Sequence, residues 1–196
     1  MKSNGARSGS VTRRAAWGGA IGPVLFVGAW SSAAAVTARA YSPVYDAISR
    51  LAERGADTRV LMSAGFVGLG VALPIYARAL HRAVPGVAWL AATTTGIATL
   101  AVAAFPLGHS ASGDTWHGVF AGIGYVTLAS TPLLAARPLL RQGHRALAAL
   151  GVVAGAVSTV SLVLTTTAAQ KGLFQRVGLT ATDLWIAVSA VTIARA

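Results

Sequence analysis

The stretch VAWLAATTTGIATLAVAAF, positions 87–105, contains no charged side chain and consists mostly of Ala, Val, Leu and Ile. A run of this length is what an α-helix needs to cross the roughly 30 Å hydrocarbon layer of a bilayer. Similar apolar runs of about 20 residues recur along the chain, so we predict six membrane-spanning helices. Their ranges are 17–37, 61–80, 87–105, 116–136, 146–169 and 177–193. The last run is the most polar at its start because it includes Thr180, Thr182 and Asp183.

The composition excludes a soluble globular protein. Hydrophobic residues make up 55% of the 196 residues and charged residues only 11%, whereas a soluble domain carries about 25% charged residues. We therefore predict an all-α fold, a polytopic bundle of six transmembrane helices that forms a single domain over residues 15–196. Residues 1–14 are rich in Ser, Gly and Arg, so we predict that they form a disordered basic cytoplasmic tail.

The net charge is +11, and the positions of the basic residues indicate membrane topology and not nucleic-acid binding. Ten of the 16 Lys and Arg residues lie before the first run, in alternate connections or at the end of the chain, without any acid nearby. These ten are Lys2, Arg7, Arg13, Arg14, Arg78, Arg82, Arg137, Arg141, Arg145 and Arg195. Because short basic loops stay in the cytoplasm, we predict a multi-pass protein of the cytoplasmic membrane with both termini inside.

All five acidic residues are predicted to lie in or at the edge of the other connections, on the outer face. They are Asp46, Glu53, Asp57, Asp114 and Asp183. An alternative interpretation of the first run is a signal peptide, since Ala38-Arg39-Ala40 resembles an A-x-A cleavage site. The run is longer than a typical signal-peptide core and Arg39 is unusual at such a site, so we favour an uncleaved span.

The first outer connection has a helical pattern of its own. Ser42 can cap a helix that begins at Pro43, apolar residues recur at helical spacing from Val44 to Leu51, and Gly55 can end it. We therefore predict a short amphipathic helix at the membrane interface. Within the spans, paired glycines one turn apart predict close helix packing. These pairs are Gly18/Gly22, Gly118/Gly122 and Gly151/Gly155.

Polar and aromatic residues of the outer connections form the candidate site. The predicted catalytic residues are Asp46, Asp114 and His117. Asp114 and His117 are three positions apart, which places them on one face if a helix begins there, and this spacing suits a carboxylate–histidine pair on a metal ion or a proton. A metal site would use His109, Asp114 and His117. The predicted substrate-binding residues are Tyr41, Tyr45, Ser49, Trp116, Gln175, Arg176 and Trp185. We predict that Asp46 and the Asp114/His117 pair converge at the outer mouth.

Purely structural roles are also open for these residues. Asp114 can cap the helix that follows it, and Asp46 can pair with Arg50 at i, i+4. Trp116 and Trp185 fit an aromatic belt at the membrane interface. Motifs for nucleotide binding, serine hydrolases and zinc proteases are missing from the sequence.

Two classes of function remain open at this point. The leading one is an outward-facing site for a small amphiphilic or lipid-like molecule, possessing catalytic activity in two of its versions. One version is a metal-dependent hydrolase, with a divalent metal as cofactor. The other is an isoprenoid cyclase that starts by protonation, with Asp46 or Asp114 as the acid. The second class is a non-enzymatic binding or assembly subunit. The expected partners are the lipid bilayer and a small apolar ligand, with no nucleic acid.

Several short motifs resemble one family. They are Gly22-Pro23, Tyr41-Ser42-Pro43, Asp46-Ala47-Ile48-Ser49-Arg50-Leu51, Phe105-Pro106, His117, Gly172-Leu173-Phe174-Gln175-Arg176 and Trp185. On these residues the chain resembles the bacterial six-helix membrane family catalogued as domain of unknown function 998. The resemblance implies a six-helix membrane protein. The family has no settled activity that could be carried over to this chain. The family commonly has an acid where this chain has Arg50. A more distant similarity to the alkaline ceramidase and adiponectin-receptor hydrolases lacks their paired-histidine motif.

Overall fold

The computed structural model describes residues 3–195, with side chains from Gly9 onward, and every regular element in that part of the chain is helical. The elements are α1 (Ser3–Ala16), α2 (Gly18–Val36), a 3₁₀ segment (Ile48–Ala52), α3 (Arg59–Ala83), α4 (Ala88–Ala104), α5 (Ala111–Arg141), α6 (Arg145–Thr167) and α7 (Lys171–Arg195). This confirms the prediction of an all-α protein.

The helices have the length and surface of membrane spans. Five stretches are long and apolar enough to cross a bilayer: Gly9–Val36, Arg59–Ala83, Ala111–Arg141, Arg145–Thr167 and Lys171–Arg195. The remaining helix, α4, is equally apolar but has 17 residues. Large apolar side chains such as Val24, Val126 and Leu184 are more than 60% exposed, as expected of a surface that faces lipid. The protein is therefore a multi-pass membrane protein.

The amino-terminal residues are helical where the sequence predicts a disordered tail. Residues 3–14 belong to α1, which is separated from α2 only by Trp17 and packs against α3 and α7. Ala16 is fully buried, and Arg82 of α3 donates from Nη1 to Thr12 Oγ1 at 3.2 Å. The helix is thus held by tertiary contacts that its polar composition does not reveal. Residues 1 and 2 lie outside the described part of the chain.

Consecutive helices pack against each other, and α7 closes the bundle against α2. The glycine prediction holds for two of the three pairs. A Cβ on Gly22 would lie 2.9 Å from Ala72 of α3, and one on Gly151 would lie 3.0 Å from the Pro132 carbonyl of α5. Gly118 and Gly122 have no heavy atom within 4 Å of their Cβ positions. That pair therefore faces away from the bundle.

The connections gather at two ends of the bundle. The end that contains the connections 37–58, 105–110 and 168–170 is called the acidic end. The end that contains the turns 84–87 and 142–144 is called the basic end. Both turns use a glycine with positive φ, Gly86 at 108° and Gly143 at 86°, which is the left-handed conformation that glycine adopts without strain.

The predicted amphipathic helix over 43–54 is shorter and deeper than expected. Only Ile48–Ala52 is helical, as a single 3₁₀ segment, and Ile48 and Leu51 are each 1% exposed. Ser42 does not cap it: its carbonyl accepts from the backbone of Asp46 in a preceding turn. The apolar spacing correctly identified the buried side chains. The α-helical form is absent because side chains from other elements bind its backbone groups.

Candidate functional site

Arg176 of α7 holds the 37–58 connection in place. Its side chain is buried, and its Nη1 donates to the carbonyl oxygens of Pro43 at 2.8 Å, Asp46 at 3.1 Å and Gly172 at 2.9 Å. Its Nη2 donates to the Tyr41 hydroxyl. Backbone groups outside regular helices need such partners when they are buried. Arg176, predicted to bind substrate, is instead occupied by the connection.

Two aromatic rings complete the Arg176 environment. The guanidinium carbon lies 5.1 Å from the ring centre of Trp30 and 5.6 Å from that of Tyr41, within range of cation–π attraction. Burial raises the pKa of the Tyr41 hydroxyl above its ordinary value, although the Arg176 charge acts in the opposite direction. Tyr41 thus helps Arg176 to hold the 37–58 connection against α7. Tyr45, also predicted to bind substrate, is 55% exposed.

Gln175 links the 3₁₀ segment to α5. Its Oε1 accepts from the backbone N–H of Ile48 at 2.8 Å, and its Nε2 donates to the hydroxyl of Tyr125. Thr58 binds the other side of the segment, since its Oγ1 donates to the Leu51 carbonyl at 2.9 Å. These side chains replace the backbone bonds that an α-helix would have made.

Asp46 and Asp114 each bind groups of their own part of the chain. Asp46 accepts from the backbone N–H of Ser42 at 2.8 Å and from Arg50 Nη1 at 2.7 Å, so both of its oxygens have partners. Asp114 is exposed and accepts from the backbone N–H of Gly108 at 2.8 Å. The cap of α5 is Ser110, whose Oγ accepts from Gly113. Each carboxylate stabilises its own connection, and no hydrogen bond joins Asp46, Asp114 and His117 in the described part of the chain.

The predicted metal ligands are likewise separated. His109 accepts at Nδ1 from Arg54 Nη1 at 2.6 Å, while Asp114 is bound to the loop. Among residues 3–195 there is no group of three or more His, Cys, Asp or Glu side chains that could hold a metal ion. The structure does not bring His109, Asp114 and His117 together as a metal site.

A cavity of about 130 Å³ lies inside the bundle, among α2, α3, α4, α5, α7 and the 3₁₀ segment. Most of its wall is apolar, and it includes two of the predicted substrate-binding residues, Ser49 and Gln175, together with His117. The apolar lining residues include Phe26, Phe66, Leu69, Val102, Phe120, Leu128 and Leu179. An apolar cavity of about 150 Å³ is large enough to bind benzene. The space therefore suits a small hydrocarbon group.

Asp183 lies deeper in the protein than the sequence pattern predicts. The pattern places it at the edge of an outer connection, but α7 begins at Lys171, which puts Asp183 in the middle of that helix with twelve residues on either side. It is 2% exposed and lines the cavity, and neither carboxyl oxygen has a hydrogen-bond partner among the described residues. An ionisable side chain in the middle of a membrane span is rare, which makes Asp183 a candidate functional residue.

One pattern in the sequence could have revealed this arrangement. Gln175, Leu179 and Asp183 are spaced at i, i+4 and i+8, and all three line the cavity. The spacing becomes visible only when α7 is extended back to Lys171. The polar residues before Val177 concealed that start.

Two further polar groups of the wall have defined hydrogen-bonding capacity. His117 is 5% exposed, and its Nδ1 lies 2.7 Å from the Phe105 carbonyl oxygen. A carbonyl only accepts, so Nδ1 carries the hydrogen and Nε2 of the neutral ring is an acceptor. The Tyr125 hydroxyl accepts from Gln175, and its own hydrogen has no acceptor in the described part of the chain. The cavity thus has a carboxyl, an imidazole acceptor and a hydroxyl donor on its wall.

The two predicted tryptophans lie elsewhere. Trp116 is 50% exposed and stacks on Phe120, with ring centres 5.8 Å apart, which fits an interfacial position. Trp185 is buried, and its Nε1 donates to the Leu147 carbonyl at 3.0 Å near the start of α6. It lines a separate cavity of about 800 Å³ at the basic end. The prediction that Trp185 belongs to the outer site is therefore wrong.

Comparisons with known proteins identify the family but no activity. No curated protein and no solved structure matches the sequence. Residues 20–192 match the sequence model of a family described as "Protein of unknown function (DUF998)". This match covers most of the chain and agrees with the resemblance drawn from the short motifs. The chain belongs to the DUF998 family.

Proposed function

We propose that this protein binds a small, predominantly apolar molecule inside the membrane, in the cavity that reaches Asp183. The observation that supports this most is the unpartnered, buried carboxyl at the wall of an apolar space. Leaving such a group unpaired costs free energy, and a bound molecule with one polar group would offset that cost. The site proposed from the sequence, an outward-facing mouth around Asp46, is thereby moved deeper into the bundle.

A catalytic version of this function is protonation of an apolar substrate, with Asp183 as the donor. Asp46 and Asp114 are poor candidates for the acid because each is engaged with its own connection. Asp183 faces an apolar cavity that also carries a hydrogen acceptor, Nε2 of His117. An acid and an acceptor that line one cavity are the groups that proton transfer to and from an apolar substrate requires.

Filling the cavity should abolish binding. The probe is cyclohexane carrying a diazirine on one ring carbon, irradiated with the protein in nanodiscs and mapped by mass spectrometry. We expect labels on Leu128 and Leu179, which are buried inside the bundle, and also on Val126, which faces the lipid. Gly124→Leu should remove the buried labels because Gly124 lines the cavity and a Cβ there has room, 3.7 Å from Ala98.

Gly122→Leu is the matched control for this experiment. It makes the same change on the same helix, but Gly122 is exposed and its Cβ position is open. The buried labels should persist in this variant. Labelling of Val126 without any label on Leu128 or Leu179 would reject the proposed function and favour a binding or assembly subunit.

We also propose that α4 crosses the membrane, which gives six passes with both termini in the cytoplasm. Its 17 residues span about 26 Å at 1.5 Å per residue, near the lower limit for a spanning helix. The connections then alternate between the two ends, and the basic end lies inside because its turns are flanked by Arg82, Arg141 and Arg145 with no acid beside them.

Cysteine labelling tests this orientation, and the chain has no native cysteine to interfere. Arg141→Cys and Arg145→Cys at the basic end should react with a membrane-impermeant maleimide only after the cells are opened. Ala111→Cys and Lys171→Cys at the acidic end should react on intact cells. All four positions are exposed. The reverse pattern would overturn the orientation, and labelling of both ends on one side would overturn the crossing of α5 and α6.

A further inference from the structure

The carboxyl group of Asp183 has neither an ion-pair partner nor a hydrogen-bond partner among the described residues. No Lys or Arg is among the residues that line the cavity, and the other titratable groups of its wall are His117 on α5 and Tyr125 on the same helix. Neither makes a hydrogen bond to Asp183 in the described structure. A buried carboxylate in this setting lacks both a cation and a donor, which is the costliest arrangement for a charge.

The remaining wall is suited to a positive charge and not to a negative one. Phe26 and Phe66 form a tilted pair with ring centres 5.7 Å apart, and Phe120 and Tyr125 add two more rings to the lining. The faces of aromatic rings carry negative potential and attract cations. An anionic ligand would meet a carboxyl and aromatic rings without any basic side chain to receive it.

We infer that the molecule bound in this cavity is a lipophilic cation, an amine whose ammonium group pairs with Asp183 and whose hydrocarbon part contacts the phenylalanine rings. This inference rests on the proposed function and specifies the chemical class of its ligand. The ion pair would supply the counter-charge that the protein lacks, in the way that intramembrane carboxylates pair with charged ligands. The cavity volume of about 130 Å³ limits the cation to roughly one ring with a small substituent.

Three molecules of nearly the same shape test this class. N-methylpiperidine is an ammonium ion at neutral pH, cyclohexanol is a neutral hydrogen-bond donor, and methylcyclohexane has neither charge nor donor. Each competes with the diazirine probe for labelling of Leu128 and Leu179, at measured free aqueous concentration. We expect N-methylpiperidine to halve the labelling at a concentration at least about tenfold below that of cyclohexanol, because close charge pairs couple strongly.

Asp183→Asn identifies the source of the preference. The variant keeps the size and polarity of the side chain but removes the charge, so N-methylpiperidine should lose its advantage while methylcyclohexane still competes. If Asp183→Asn does not fold, the comparison of the three molecules on the unaltered protein decides the question by itself.

The outcomes separate this inference from the proposed function. Protection by methylcyclohexane and cyclohexanol, with no advantage for the ammonium, would overturn the cationic ligand and leave the apolar site standing. An ammonium advantage that persists in a folded Asp183→Asn protein would also overturn it. Absence of probe labelling at Leu128 and Leu179 would overturn both.

Discussion

Replacing Arg176 by leucine should lower the free energy of unfolding by about 3–5 kcal/mol, since one buried and two part-buried carbonyl groups lose a donor at about 1–3 kcal/mol each. These are the carbonyls of Pro43, Asp46 and Gly172. Leucine retains part of the packing against Tyr41 but donates no hydrogen bond. The measurement is SDS-induced unfolding in mixed micelles, followed by circular dichroism.

Two further variants give this prediction its controls. Lys171→Leu also replaces a basic residue by leucine, five positions earlier on α7 and at an exposed position. Its free energy of unfolding should stay within about 0.5 kcal/mol of that of the unaltered protein. Arg176→Lys should fall between the two because an ammonium keeps the charge but cannot bridge several acceptors in the plane of a guanidinium. An Arg176→Leu protein as stable as Lys171→Leu would show that the connection does not depend on this residue.

The helices were predictable because a membrane imposes one rule on every span. Each span must satisfy its own backbone and face lipid, so it appears as a long apolar run. The runs at 61–80 and 146–169 correspond to α3 and α6 within a few residues. The last span was predicted to start at 177 and starts at Lys171, because polar side chains that bind neighbouring elements interrupt the apolar pattern there. Gln175 and Arg176 are such side chains.

The conformation of the 37–58 connection was not predictable from its own residues. Its apolar spacing correctly indicated that Ile48 and Leu51 are buried. Its backbone is held by Gln175 and Arg176, which are more than 120 positions away in the sequence. A pattern read within one segment contains no information about such partners, so an α-helix was expected where the structure has a 3₁₀ segment.

The residues that line the cavity were identified only in part from the sequence, for a related reason. Ser49, His117 and Gln175 do line one cavity, whereas Asp46 and Asp114 are bound within their own connections. Local caps and distant sites use the same residue types, and sequence spacing does not distinguish them. Asp183 was overlooked because its depth depends on where α7 begins.

Gly172→Ala should weaken the contact between the 37–58 connection and α7. We expect the free energy of unfolding to fall by about 3 kcal/mol, the upper part of the range for overpacking. A Cβ at this position would meet the carbonyl oxygen of Asp46, the Pro43 carbonyl oxygen at 2.7 Å and the Asp46 nitrogen at 2.9 Å. All three are backbone atoms, so no side-chain rotation relieves the contact. The connection would have to move away from α7, which would also stretch the bonds from Arg176. The same unfolding assay in mixed micelles measures the loss.

Gly122→Ala is the control, because nothing lies within 4 Å of its Cβ position. Alanine favours a helix over glycine, so this variant should be neutral or more stable by up to about 1 kcal/mol. The double variant Gly172→Ala/Arg176→Leu provides the sharper measurement. Both changes act through the carbonyls of Pro43 and Asp46, so their effects should overlap. The stability lost in the double variant should be smaller than the sum of the two single losses by at least about 1 kcal/mol. Losses that add within about 0.5 kcal/mol would mean that glycine and arginine act on separate parts of the fold.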